Sequence, residues 1–272
     1  MRILFLGDVV GRAGRDAVVA AAPELRDRLS LDLLIVNGEN AAHGFGITPK
    51  ICQSFYQAGV DVITTGNHVW DNREILTHID GDPKLLRPIN FPTGTPGRGW
   101  AVVETRKAGK ALVSNVMLRL FMDPLDCPFA AMDRVMETAK LGRDVAAIVI
   151  DMHGEATSEK RAMGHFLDGR ASLVVGTHSH VPTADGHVMN AGTGYLTDAG
   201  MCGDYDSVIG MRKESSIQTF RMKRRGERLG PAEGDASLAG VFVETDPATG
   251  LAKTLRPFRQ GFGVEPAEIK FP

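Results

Sequence analysis

The sequence has little of the features that mark several specialised classes of protein. It contains only three cysteines, Cys52, Cys127 and Cys202, and their odd number and wide spacing argue against a disulfide framework. We therefore expect reduced thiols and a cytoplasmic location. The formal net charge is −2, which argues against a general nucleic-acid coat and against a helix that lies on a membrane surface.

Long apolar runs, internal repeats and low-complexity segments are also missing. No apolar run reaches the roughly 20 residues that cross a bilayer, so we expect no membrane partner. The chain begins with a strand-like segment, so we expect no signal peptide. Its 272 residues are enough to bury a substantial core, and no linker-like segment interrupts them. The sequence predicts one domain over residues 1–272 and leaves homo-oligomerisation open.

Strand-like runs alternate with helical patterns through the first two thirds of the chain. The last third is richer in strands and lacks helical crossovers, and residues 82–99, rich in proline and glycine, predict a long ordered loop. This order predicts an α/β fold with two packed sheets flanked by helices. The predicted strands span 2–6, 32–37, 59–65, 100–104, 111–116, 145–150, 171–176, 239–244 and 252–259. The predicted helices span 15–29, 48–58, 126–140 and 157–167, with a short one over 74–78 capped by Asp71.

Five of the predicted strands end at residues that can bind a metal ion. Ligands of α/β proteins collect at the carboxyl ends of the strands, so these side chains are expected to converge. One histidine or carboxylate after a strand means little, but five such strands in series predict a metal centre. The converging set is Asp8, Glu39, Asn40, Asn67, His68, His153, His178 and His180.

The chemistry of this set favours transition metals and phosphate esters. Imidazole ligands suit zinc, iron, manganese or similar ions, whereas magnesium and calcium prefer oxygen alone. The ligands are too many for one tetrahedral ion and sufficient for two ions that share a carboxylate. Such a pair clamps the attacking and leaving oxygens of a phosphoryl displacement and lowers the pKa of a bridging water. The residues alone therefore predict hydrolysis of a phosphate ester, without specifying which ester.

Several motifs resemble those of the calcineurin-like metallophosphoesterase superfamily. They are Gly7-Asp8, Gly66-Asn67-His68 and Thr177-His178-Ser179-His180. The chain resembles in particular the YmdB-like branch, through the segments 7–11, 37–44, 154–160 and 168–172. The resemblance implies a four-layer αββα sandwich. It also implies a 2',3'-cyclic-nucleotide phosphodiesterase that acts on cyclic nucleotides or short RNA phosphodiesters.

The same resemblance implies a role for each residue of the set. One metal ion takes Asp8, Glu39, Asn40 and His180, and the other takes Glu39, Asn67, His153 and His178, with Glu39 as the bridge. His68 is the implied general acid, and a metal-bound hydroxide is the implied nucleophile. Iron or manganese is expected, with zinc as an alternative.

The sequence departs from the wider superfamily in two places. Most members begin with Asp-x-His, but Val9 and Val10 follow Asp8 here, and Glu39 stands where aspartate is usual. Both departures match the YmdB-like branch, and they leave the identity of the metal open.

Three residues keep two interpretations at this stage. Asn40 is either a metal ligand or a turn residue, because asparagine commonly follows a strand in either role. His43 either contacts substrate or is an ordinary loop residue, and Arg12 is either a phosphate anchor or a solvated arginine.

Two other functions also remain open. One is a phosphomonoesterase, although the motifs contain no obvious arginine pair to hold a dianion. The other is a regulatory nucleotide- or RNA-binding protein with slow catalysis, although a pure binder has little need of His68. No extended nucleic-acid-binding surface is evident in the sequence.

Overall fold

A computed structural model describes residues 1–223 and 229–271, which form a mixed α/β structure with two sheets. In chain order the strands are β1 (Arg2–Leu6), β2 (Asp8–Val9), β3 (Leu33–Asn37), β4 (Val62–Thr64), β5 (Leu85–Leu86), β6 (Trp100–Glu104), β7 (Lys110–Met117), β8 (Ala147–His153), β9 (Leu173–Thr177), β10 (His187–Val188), β11 (Gly194–Leu196), β12 (Met201–Asp204), β13 (Ala236–Thr245) and β14 (Ala252–Gln260). The α-helices are α1 (Gly11–Arg28), α2 (Pro49–Ala58), α3 (Pro128–Thr138), α4 (Thr157–Leu167) and α5 (Lys213–Met222).

The two sheets differ in size and in strand order. The first has eight strands in the order β2-β12-β13-β1-β3-β4-β5, with β14 paired to β13. The second has six strands in the order β10-β11-β9-β8-β7-β6. Strands β1, β3 and β4 run parallel in the first sheet, and β7, β8 and β9 run parallel in the second. Their carboxyl ends carry the predicted site.

Both faces of the central strands are buried, which explains their nearly continuous apolar sequences. In β1, Leu4 and Leu6 contribute to a cluster that includes side chains of α1 and α2, whereas Ile3 and Phe5 contribute to another cluster. That second cluster joins side chains of the two sheets, including Val149. A third cluster joins the second sheet to α3 and α4. The predicted α/β class is confirmed, since the described residues form two sheets and five α-helices.

Local sequence signals explain where α2 begins and ends. The Thr48 hydroxyl accepts a hydrogen bond from the Ile51 amide at 3.3 Å, and Pro49 occupies the first turn. The helix ends at Gly59, whose φ of 101° lies in the left-handed region that glycine adopts most readily. The Gly59 and Val60 amides donate to the Tyr56 and Phe55 carbonyls, so these residues complete the end of the helix, and β4 covers only residues 62–64 of the predicted strand 59–65.

Other predictions needed correction. Asn72, not Asp71, caps the short 3₁₀ helix Arg73–Thr77, because the Asn72 side chain accepts the Glu74 amide while Asp71 binds His68. The loop 82–99 contains the two-residue strand β5. The last third contains α5, which the sequence did not predict because it buries only Ser216 and so has no apolar face of helical period.

Among the described residues, no helix combines the length and the apolar character that a membrane span requires.

Candidate metal centre

The carboxyl ends of five parallel strands from both sheets meet at this site. The first sheet supplies the oxygen ligands: Asp8 follows β1, Glu39 and Asn40 follow β3, and Asn67 follows β4. The second sheet supplies imidazoles. His153 is the last residue of β8, and His178 and His180 follow β9. Oxygen and nitrogen donors therefore converge from different sheets, which the sequence pattern did not reveal.

Two groups of possible metal ligands share Glu39. In one, Glu39, His153 and His178 each place a ligand atom within 4.8 Å of the others. In the other, Asp8, Glu39 and His180 do the same. Glu39 and His153 are buried completely or nearly so, and His178 is partly exposed. The shared carboxylate allows two adjacent cations at this position.

Two buried oxygen atoms without partners indicate that the site fits a cation. The Oδ1 atoms of Asp8 and Asn40 are buried and have no hydrogen-bond partner among the described residues. The other oxygen of Asp8 accepts the His178 amide at 3.1 Å, and the Asn40 amide nitrogen donates to the Gly44 carbonyl at 3.1 Å. Leaving buried polar atoms unpaired is costly, so a metal ion would supply the missing partner.

Hydrogen bonds fix which nitrogen of two histidines faces the site. His180 Nδ1 donates to the Ile209 carbonyl at 2.8 Å, which leaves Nε2 at 3.8 Å from Asp8 Oδ1. His153 Nδ1 lies 2.8 Å from the Thr177 hydroxyl. Its Nε2 lies 2.9 Å from Asn67 Oδ1 and 3.2 Å from Glu39 Oε1. Such outer contacts orient imidazoles for metal binding.

Gly66 explains the glycine of the Gly66-Asn67-His68 motif. A Cβ atom at this position would collide with Glu39 Oε2 and with the His153 ring. Any larger residue would push these two side chains apart. Only glycine lets the backbone pass this close to the candidate ligands.

The loop that carries His178 and His180 has a strained backbone. Their φ angles are 98° and 64°, in the left-handed region that residues other than glycine rarely adopt. A buried ion pair holds this loop. Lys160 Nζ donates to Asp198 at 2.7 Å and to the Thr177 carbonyl at 2.8 Å, and Asp198 accepts the Ser179 amide. Sequence reasoning missed both members of this pair.

Burial and mutual electrostatic interaction shift the pKa values of four groups in the site. Burial raises the pKa of Asp8 to about 7. Burial opposes ionisation of Glu39 too, but the attraction of His153 outweighs it and lowers the Glu39 pKa to about 2. For His153, burial is outweighed by Glu39, which raises the pKa to about 9. Burial and the charge of His153 lower the pKa of His178 to about 3. These shifts favour an ion pair between a protonated His153 and an ionised Glu39, whose atoms lie 3.2 Å apart.

His68 lies beside the candidate ligands, in contact with two carboxylates. Its amide donates to Glu39 Oε2 at 3.2 Å, and its Nδ1 lies 2.8 Å from Asp71 Oδ2. The side chain is partly exposed. The Phe45 ring packs edge-on against the imidazole, with 5.0 Å between the ring centroids. Since Asp71 engages Nδ1, Nε2 is the ring nitrogen that is left to exchange a proton with a ligand.

A cleft of about 490 Å³ gives access to the centre. Its lining includes Glu39, Asn40, His68, His178 and His180. It also includes Glu155, whose carboxylate lies 3.2 Å from His178 Nε2. The sequence contained no signal for this contact, because it joins residues 23 positions apart through the fold.

The structure does not bring the two predicted substrate-binding residues to this cleft. Neither Arg12 nor His43 is among the described residues that line it. Arg12 pairs with Glu233 at the surface at 3.1 Å, and His43 is exposed on its loop.

A larger cavity of about 700 Å³ lies along β6. Charges of both signs line it, including Asp61, Asp80, Lys84, Arg98 and Glu104. Because none of the candidate ligands lines this cavity, we regard the smaller cleft as the functional one.

Comparisons with known proteins agree with the geometry. The sequence model of a family described as YmdB-like protein matches residues 4–258. A 2',3'-cyclic-nucleotide 2'-phosphodiesterase of Bacillus subtilis is 49% identical over 250 residues, which cover 92% of this chain and 93% of the relative. A crystal structure of a hypothetical protein from Thermus thermophilus superposes with a TM-score of 0.88 at 41% identity, covering 96% of this chain and 99% of the other. A phosphatase structure from Mycoplasma pneumoniae superposes with a TM-score of 0.87 at 35% identity, covering 96% of this chain and 93% of the other.

Proposed function

Because this chain belongs to the YmdB-like family, we propose that it is a metal-dependent phosphodiesterase that hydrolyses 2',3'-cyclic nucleotides or short RNA phosphodiesters. One observation carries the proposal: two adjoining groups of candidate ligands share the buried Glu39, and Asp8 and Asn40 each leave a buried oxygen unpaired among the described residues. These features are what a two-metal hydrolase needs at its centre.

We propose that the ligands divide between two transition-metal ions. Asp8, Glu39, Asn40 and His180 would hold one, and Glu39, Asn67, His153 and His178 would hold the other. Mixed imidazole and oxygen ligands suit iron or manganese, and also zinc. When bound, the ions supply charge that neutralises the phosphoryl oxygens and an activated water for attack. The protein would orient the ligand side chains so that their lone pairs point towards the metal ions.

His68 is proposed as the general acid. It lies next to the candidate ligand Asn67 and lines the cleft, and Asp71 holds its Nδ1. A proton at Nε2 can then pass to the ribose oxygen as that oxygen leaves. A well-placed acid typically contributes about 10²–10⁴ in rate.

Glu155 supports a diester substrate in preference to a monoester. Its carboxylate is half exposed in the cleft, beside His178. A negative charge at this point repels the dianion of a phosphomonoester more strongly than the monoanion of a diester. The cleft also contains no arginine among its described lining residues.

The proposed architecture follows from how the sheets and helices pack. We propose that the two sheets and their helices form the four-layer αββα sandwich of calcineurin-like metallophosphoesterases, within a single domain. Three apolar clusters between successive layers support this arrangement, and the pairing of β1 with β13 joins the two ends of the chain. The free cysteines support the cytoplasmic location, and the homo-oligomer stays a prediction.

Parallel assays of a diester and a monoester test the proposal. Metal-loaded protein should hydrolyse 2',3'-cyclic AMP and bis(p-nitrophenyl) phosphate, with much lower activity on p-nitrophenyl phosphate. The variant Glu155→Gln should raise the activity on the monoester and so reduce the ratio of diester to monoester activity. A wild-type protein that preferred the monoester would overturn the diester assignment.

A further inference from the structure

One side of the cleft is formed by exposed apolar side chains. We define the apolar wall as Val181, Ile209 and Leu229, which line the same cleft as the candidate ligands. Their exposed fractions are 55%, 49% and 37%. Large apolar side chains grouped in a cleft at such exposure usually contact a ligand. Phe45 and Met211, which are more buried, extend this lining.

Ile209 connects the apolar wall to the metal centre. Its φ of 47° places a β-branched residue in the left-handed region, where such residues are outliers. Its carbonyl accepts the hydrogen bond from His180 Nδ1 at 2.8 Å, while its side chain remains half exposed in the cleft. Strained conformations of this kind concentrate at functional sites. The backbone of Ile209 orients a candidate ligand, and its side chain is left free for another role.

We propose that the apolar wall binds the base of a nucleotide whose phosphate lies at the metal centre. This inference rests on the proposed phosphodiesterase function. The wall and the candidate ligands share one cleft, so a molecule whose phosphate reaches the ligands also has its remaining part against the wall. The cleft volume of about 490 Å³ is within the usual range for sites of small ligands.

The chemistry of the wall predicts how the base is recognised. The side chains of Val181, Ile209 and Leu229 carry no hydrogen-bonding groups, so they contact the face of a base and do not read its edge. All four bases have a flat face, so contact with that face is possible whichever base is bound. The site should therefore require a base without selecting which one.

The test compares substrates with and without a base. The probes are the 2',3'-cyclic phosphates of adenosine, guanosine, cytidine and uridine, together with methyl riboside 2',3'-cyclic phosphate, which lacks a base. We expect the four nucleotides to have KM values within about threefold of one another. The base-free substrate should have a KM raised on the order of tenfold with a similar kcat. Contact with the wall stabilises the bound substrate and the transition state equally, so its loss changes KM alone.

Two variants of the wall should reduce the difference in KM between the nucleotides and the base-free substrate. Val181→Ser and Leu229→Ser each make an exposed position of the wall polar. Each should raise KM for the nucleotides several-fold and leave KM for the base-free substrate unchanged. The control is Phe121→Asn, because Phe121 is also apolar and is 88% exposed, but it does not line the cleft.

The outcomes separate this inference from the proposed function. If metal-loaded wild-type protein hydrolyses none of the cyclic phosphates, including the base-free one, the phosphodiesterase proposal fails. If all are hydrolysed with equal KM, or if both wall variants match Phe121→Asn, the phosphodiesterase stands and the base site is overturned. A KM that differs more than tenfold between bases would overturn recognition by contact alone.

Discussion

His153 Nδ1 lies 2.8 Å from the Thr177 hydroxyl, in an interior from which solvent is excluded. The hydroxyl donates its own proton to Asp151 at 2.7 Å, so it can only accept from His153. Asp151 also accepts hydrogen bonds from Thr64 and Asn37 and has no exposed surface. This chain of contacts makes Nδ1 the donor and directs His153 Nε2 towards Glu39.

The first prediction concerns that hydroxyl. Thr177→Val removes it, so the imidazole loses its acceptor and Asp151 loses a donor. Loss of an outer contact of this kind typically weakens metal affinity by about 10–100-fold. Thr177→Ser keeps the hydroxyl and should bind metal nearly as tightly as the wild type. Metal retention measured against a graded series of chelator concentrations compares the three proteins, and equal retention by the valine variant would refute this role for Thr177.

The second prediction concerns His68. His68→Ala should retain both metal ions, because His68 is not one of the proposed ligands. Turnover of a cyclic nucleotide should fall by about 10²–10⁴ because its ribose oxygen needs a proton to leave. The loss should be much smaller on bis(p-nitrophenyl) phosphate, whose leaving group needs no proton. If both substrates lost the same factor, His68 would not act as the acid.

The third prediction concerns the Lys160–Asp198 pair behind the histidine loop. Both side chains are 1% exposed, and their charged atoms lie 2.7 Å apart. Lys160→Met leaves the Asp198 carboxylate buried without its partner, which typically costs about 3–5 kcal/mol of unfolding free energy. The double variant Lys160→Met with Asp198→Asn should recover part of this loss. Urea unfolding measures all three proteins, and an unchanged midpoint in Lys160→Met would contradict the prediction.

The fourth prediction concerns pH and metal binding. In the metal-free protein, burial raises the pKa of Asp8 to about 7, and the attraction of Glu39 raises that of His153 to about 9. Both groups must lose a proton to bind metal. Affinity should therefore rise as pH increases from about 6 to 9, and binding near pH 6 should release protons. Calorimetry in buffers of different ionisation enthalpy measures this release, and an enthalpy that did not depend on the buffer would exclude it.

The sequence predicted most of the strands and the edge at which the candidate ligands meet. Both features were predictable because β1, β3 and β9 are apolar runs followed directly by polar groups. The local pattern therefore marks both the strand and its end. β8 was predicted to end at residue 150 but continues to His153, because Asp151 and His153 are polar residues that the fold buries completely. A pattern of apolar residues cannot reveal a buried polar residue of this kind.

Contacts between distant segments explain what the sequence did not predict. Lys160 and Asp198 are 38 positions apart, and neither belongs to a motif that signals an ion pair. Residue type likewise gives no signal for the left-handed angles of His178 and Ile209. Arg12 was predicted as either a phosphate anchor or a solvated arginine, and its side chain pairs with Glu233 at the surface.

Elemental analysis of the purified protein, with turnover of 2',3'-cyclic AMP measured on the same sample, is the decisive test of a two-metal phosphodiesterase. We expect two equivalents of a transition metal per chain in the wild type, with turnover that a chelator abolishes and added metal restores. Glu39→Gln should lose both metal and turnover, because Glu39 belongs to both ligand groups. A wild-type protein that bound no metal after reconstitution, or that turned over equally well without it, would contradict the account.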